Sequence, residues 1–188
     1  MLVFATVLDA HSQSKFICKY GTVRDEMPYC IKQIGDKYFT SVTIKKEQNV
    51  FWGETTIMSL NNDGKINKEL SFTCTDSSYK NIYSIYPIDD SEFLAIGACK
   101  NKELPVSQFW IMKMDTALNI IWEKKYKTNQ PYNGTIEVTK NDEGNFLLGT
   151  TLMSGSPSWV RSIMFIEINQ NGDSLQSSCL TDGDQYHT

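Results

Sequence analysis

Histidine is nearly absent from this 188-residue chain: there are two, His11 and His187, one near each end. Chain ends are poorly held unless they dock. A Ser-His-Asp or Cys-His constellation therefore has no base to work with, and a histidine-built metal site has no ligands. The five cysteines, at 18, 30, 74, 99 and 179, include no C-x-x-C pair, which removes the spacing that zinc and thioredoxin-like sites need. Their odd number leaves at least one free thiol, and most read as small buried hydrophobes in strands. No apolar run reaches the ~20 residues of a membrane-spanning helix. Basic runs stop at "IKK" (44–46) and "EKKYK" (123–127), and the net charge is −4. Nucleic acid is not an expected partner, because its backbone is met by a basic face. Helical periodicity is missing as well.

What the chain has instead is a repeat. Three segments run from an apolar alternation into a turn: "TIMSLNNDGKINKELSF" from Thr56, "FWIMKMDTALNIIWEKKY" from Phe109 and "IMFIEINQNGDSLQSSCL" from Ile163. The last apolar residues before the turns are Leu60, Met114 and Ile168, at equal steps (114 − 60 = 54; 168 − 114 = 54). A second anchor precedes each, in "IKQIGDKYFTSVT", "IYPIDDSEFLAIGA" and "VTKNDEGNFLLGTT". Its central residues align as Phe39, Phe93 and Phe146.

Each unit reads as four strands, in the middle unit about 82–88, 92–98, 108–114 and 120–126. Period-2 alternation, with Trp110, Met112 and Met114 against Ile111 and Lys113, predicts strands half facing a core. Asn-Asp-Gly before Lys65 and Asn-Gly at 171–172 supply the positive φ of tight hairpins. The middle unit has Ala117-Leu118 there instead, which predicts a turn of another type or length. The expected fold is all-β: a β-propeller-like array of three four-stranded antiparallel blades. "KFICKYG" (15–21) falls where a lone fourth strand belongs, which makes about 13 strands. Propellers use four to eight blades, so the array reads as an incomplete or part propeller. Self-association of two copies is one way to complete it.

These units resemble the propeller-type repeats of secreted Bacteroidetes proteins. The matching stretches are "FICKYG" at Phe16, "VTKNDEGNFLLGTT" at Val138 and "IMKMDTALNIIWEKKY" at Ile111. The resemblance implies an exported protein and no catalytic residues. The opening "MLVFATVLDAHSQS" fits it, with a short apolar run and an ending similar to the signal ends of such proteins. The domain reading is a truncated signal or N-terminal extension at 1–14, blades over 15–183, and a tail at 184–188. The repeat units are about 22–74, 75–128 and 129–180. Asp115 and Trp122 also look like the docking motif of quinoprotein repeats. The sister hairpins, however, have Asn61 with Lys68 and Asn169 with Gln176, so the pair reads as turn and packing.

Carboxylate pairs at Asp25-Glu26, Asp89-Asp90 and Asp142-Glu143 recur at turns, where Asp and Glu serve the backbone. "NQNGD" and "DGD" lack the full calcium-loop pattern, and no cofactor or metal is expected. Tyr132 and Trp159, in polar, turn-rich surroundings, are the candidate binding residues for a glycan or protein ligand. Blade packing is the competing role for both. The expectation is a non-catalytic binding or display module, secreted or at the cell surface. The alternative is part of a propeller enzyme, quinoprotein-like or glycan-processing, whose catalytic blades lie elsewhere.

Overall fold

The computed structural model describes residues 26–45, 53–73, 79–100, 108–127, 132–154 and 160–181. All of them lie in strands and their short connections, and none is helical. Sheet 1 comprises β1 (Glu26–Ile34), β2 (Lys37–Lys45), β3 (Gly53–Leu60) and β4 (Ile66–Phe72). Sheet 2 comprises β5 (Tyr79–Pro87), β6 (Glu92–Lys100), β7 (Gln108–Asp115) and β8 (Ile120–Lys127). Sheet 3 comprises β9 (Tyr132–Lys140), β10 (Phe146–Ser154), β11 (Val160–Ile168) and β12 (Ser174–Thr181). Each sheet is an antiparallel meander in chain order. The lone strand expected at 15–21, the 1–14 segment and the 184–188 tail lie outside the described residues.

The repeat extends to register. Each third-to-fourth hairpin carries one extra residue on its fourth strand, skipped between Ser59/Leu60, Lys113/Met114 and Glu167/Ile168. The skipped residues are Asn67, Ile121 and Leu175, which stand at the same 54-residue step. A bulge tightens local twist and turns its side chain away from the pleat, which accounts for the exposure of Ile121 and Leu175. β1 and β5 are bulged at Tyr29 and Tyr83. Opposite Tyr83 the backbone is pressed so close that a Cβ on Gly97 would fall 1.8 Å from the Asn81 carbonyl oxygen. Only glycine fits there. Pro28 and Pro87 sit in β1 and β5, which are edge strands, where a missing N–H breaks no ladder.

Register corrects one alignment. Phe93 faces Met114 and Phe146 faces Ile168, but the residue opposite Leu60 is Tyr38, not Phe39. The β1–β2 connection is a two-residue turn at Gly35-Asp36, whereas β5–β6 and β9–β10 have longer ones. The shorter turn displaces the first unit by one residue. In a strand, one residue reverses the face. Phe39 therefore points at sheet 2, its ring 5.0 Å from Phe93.

Both faces of the middle sheet are covered, not one. Phe93, Ala95, Trp110, Met112 and Met114 join Phe39, Ile57 and Phe72 in a core with sheet 1. Leu94, Ile96, Ala98, Phe109 and Ile111 join Phe146, Leu148, Ile166 and Ile168 in a second core with sheet 3. The near-continuous apolar run "FLAIGAC" in β6 is the signature of a strand buried on both sides. Each large side chain so buried stabilises the stack by about 1.5–3 kcal/mol relative to exposure. Backbone approaches between sheets run along their first strands, β5 against β1, β2 and β3, and β9 against β5 and β6.

Candidate functional site

Meander order places the β1–β2 and β3–β4 turns of a sheet at one end, and the same holds in sheets 2 and 3. Four of these turns are the same five-residue object. The first residue is Asn61, Asp115, Asn141 or Asn169, and its N–H donates to the carbonyl four residues on. The fourth residue's N–H donates back to the first residue's carbonyl. The first side chain's Oδ1 also accepts the fifth residue's N–H, at 2.8 Å in Asn61 and Asp115 and 2.9 Å in Asn141 and Asn169. Short Asn and Asp side chains suit this because they reach a backbone amide a few residues on.

The fourth position must take positive φ. Gly64, Gly144 and Gly172 do so at 80°, 83° and 78°, and Leu118 does so at 60°. The middle turn therefore has the same form as its sisters, contrary to the expectation from Ala117-Leu118. The physical reason is burial: Leu118 is 3% exposed and belongs to the core between sheets 1 and 2. Its hydrophobic contact offsets the ~1–2 kcal/mol strain of left-handed backbone.

Asp115 is fully engaged in this turn. Its Oδ1 accepts from the Ala117 and Asn119 amides at 2.9 and 2.8 Å, and Oδ2 accepts from Asn119 Nδ2 at 2.8 Å. The Asn119 backbone N–H, first among these, holds its carboxyl below the usual carboxylate value. Trp122 is equally committed. Its indole N–H donates to the Gln170 carbonyl at 3.0 Å, and its ring lies over Gly172. Tyr126 donates to the Gly172 carbonyl, and Lys124 pairs with Asp173 at 3.1 Å. One unit earlier, Lys68 Nζ donates to the Ala117 carbonyl. Fourth-strand side chains thus grip the turn of the following sheet.

The turn end also carries a shallow, open depression of about 400 Å³, lined by Asp36, Lys37, Asn61, Asn62, Asp63 and Asn67. Its lining residues all carry polar or charged side chains, yet more of the lining surface is apolar than polar, as the carbon stems of such side chains provide. Lys65 pairs with Asp63 at 2.9 Å and holds its carboxyl below the usual value. Among the described residues no three His, Cys, Asp or Glu side chains gather to hold a metal.

A second polar feature is buried between sheets 1 and 2. Ser41 donates to the Ile82 carbonyl at 2.9 Å. Thr43 shares a 2.8 Å hydrogen bond with Thr55 and donates to Asn81 Oδ1 at 3.2 Å. Asn81 Nδ2 donates to Tyr83 Oη, and the Tyr83 ring meets Tyr29 edge-on at 5.0 Å. Burial pushes the Tyr29, Cys30 and Tyr83 ionisations upward, so these groups stay protonated near neutrality and are poor nucleophiles. Composition held a signal for this seam. "TSVT" in β2 puts Ser41 and Thr43 in register with the places of Ile96 and Ala98 in β6.

Tyr132 opens β9, its backbone paired with Leu152, and Trp159 lies outside the described residues. Of the cysteines, Cys99 is buried, Cys30 half-buried and Cys179 exposed. No helix among the described residues is long and apolar enough to cross a membrane. In comparison with known proteins, no family model and no curated sequence matches the chain.

Proposed function

We propose that the chain is a run of three β-propeller blades in an exported, non-catalytic protein that binds a protein or glycan ligand. The carrying observation is the fate of the one hairpin with chemical promise: Asp115 is spent on its turn and Trp122 on the neighbouring sheet. Three features support the propeller arrangement. Each sheet is a four-strand meander in chain order, the middle sheet is covered on both faces, and neighbouring sheets approach along their first strands. Blades that radiate from a central axis have this arrangement. Export rests on the apolar opening at residues 2–8 and on the resemblance to secreted repeats. Ligand contact is assigned to the connections between strands, where propellers carry binding.

Glycan and peptide arrays probed with the whole chain test the binding reading. Signal above background on one ligand class supports it, and blank arrays of both kinds sink it. Export is read separately, by whether the protein is found in the medium or on the cell surface of its producer.

A further inference from the structure

We infer that two copies of this chain associate head to tail, with the outer face of sheet 3 of one copy on the outer face of sheet 1 of the other. The inference rests on the propeller reading and names the partner that its two outer faces fit. Its ground is the repeated junction. Each sheet has a donating face that covers the next sheet and a receiving face covered by the previous one, and register defines both.

On the donating face, Leu94, Phe109 and Ile111 of sheet 2 are covered by sheet 3. Register and repeat place Leu147, Ile163 and Phe165 at the same positions in sheet 3. Their apolar character is kept, yet Ile163 is 46% exposed where Phe109 is 1%. Beside them Leu180, opposite Ile163 on β12, is 61% exposed at the position of the half-buried Tyr126. On the receiving face, Phe93, Met112 and Met114 of sheet 2 lie under sheet 1. The equivalents in sheet 1 are Tyr38, Met58 and Leu60, again aromatic and aliphatic, with Tyr38 and Met58 half-buried and Leu60 buried within the chain.

The stack thus ends in two unlike faces that are the two halves of one junction. Both internal junctions show what covers each half: a sheet of the same repeat. Contact between unlike faces is heterologous, and it makes a closed ring when the rotation closes. Two copies bring six sheets, within the four to eight that close a propeller. The accessible junction positions, Leu147, Ile163 and Phe165 at one end and Tyr38 and Met58 at the other, leave a continuation of the interface already built twice inside the chain.

The test is the solution mass of the whole chain by sedimentation, for wild type, Ile163→Lys and Met58→Lys. The expected wild-type species has twice the 21.4 kDa chain mass. Each variant is expected to fall to one chain mass with its β-sheet circular dichroism kept, since both side chains lie on outer faces. Mixing the two variants is the decisive arm. Ile163→Lys keeps a working receiving face and Met58→Lys a working donating face, so the mixture regains a one-to-one complex through a single junction. A wild-type monomer overturns the inference, and so does a dimer that Ile163→Lys breaks and Met58→Lys leaves intact, which marks a symmetric sheet 3 pair. The propeller reading is judged apart from this, by whether the monomeric chain unfolds in one transition that Phe93→Ala and Phe146→Ala both shift.

Discussion

The two internal junctions of this molecule are made from the same repeat and held by different chemistry. Between sheets 1 and 2 the strands carry a buried polar seam, Ser41, Thr43, Thr55, Asn81 and Tyr83. Aromatic pairs flank it: Phe39 with Phe93, and Phe72 with Trp110 at 5.0 Å. Between sheets 2 and 3 a large apolar cluster packs, with Thr150 and Ser162 of sheet 3 also buried, and Trp122, Lys124 and Tyr126 of β8 hold the β11–β12 turn. Apolar burial is non-directional, whereas a satisfied buried polar network fixes one geometry. Both junctions have a grip at the rim, single through Lys68 in the first and threefold through β8 in the second, and the first adds a hydrogen-bonded seam that fixes its alignment from within.

The largest effect should come from emptying either core. Phe93 and Phe146 stand at equivalent register positions in separate junctions, each at most 1% exposed. Truncating either to alanine is expected to cost about 3–5 kcal/mol, measured by denaturant unfolding. Equal losses show that the two cores carry equal weight. A loss confined to one variant breaks the comparison and assigns stability to that junction alone.

The polar seam comes next. Thr43→Val keeps shape and removes the hydroxyl that serves both Thr55 and Asn81, leaving buried groups without a partner at a cost of about 1–3 kcal/mol. A cost near zero would mean that the seam has no special role in the first junction.

Much of this was legible in the sequence, and the failures are instructive. Strand positions in the middle unit fell within three residues of those observed, because a period of 2 interrupted by Asn, Asp and Gly is a strong signal. Two features escaped. The face of Phe39 depended on a two-residue turn at Gly35-Asp36, and turn length sets register, where one residue reverses a face. The Leu118 turn escaped because propensity assigns positive φ to glycine, while here a buried contact from another sheet overrules it. The hydrogen bonds of the polar seam and the β8 grip that cross between sheets join residues 38 to 49 apart, and no local pattern encodes those. Of the binding candidates, Tyr132 has its backbone paired with Leu152 in β9, and Trp159 lies outside the described residues.

Leu118 gives the third prediction. Leu118→Gly relieves the left-handed backbone, worth about 1–2 kcal/mol, and removes a buried leucine worth about 1.5–3 kcal/mol. The net expectation is a loss of up to about 2 kcal/mol by thermal or denaturant unfolding. A stabilised variant would mean that the side chain contributes little to the first junction, and that the turn is strained for no packing gain.

The smallest effect separates turn from chemistry. Three sister turns begin with asparagine, so Asp115→Asn should change stability by no more than about 0.5 kcal/mol, because Oδ1 still accepts the Ala117 and Asn119 amides. Asp115→Ala loses both and should cost about 1 kcal/mol. Acid sharpens the test. The folded carboxyl lies below its ordinary value of 3.8, chiefly through the Asn119 amide. Its contribution is therefore full above pH 3.8 and is lost as pH falls below that value toward the folded pKa. A carboxamide has no proton to gain in this range, so the gap between wild type and Asp115→Asn should narrow or reverse in acid relative to neutrality. An Asp115→Asn variant with the full alanine penalty at neutral pH would show that the charge matters in itself, and the middle hairpin would then differ in kind from its two sisters.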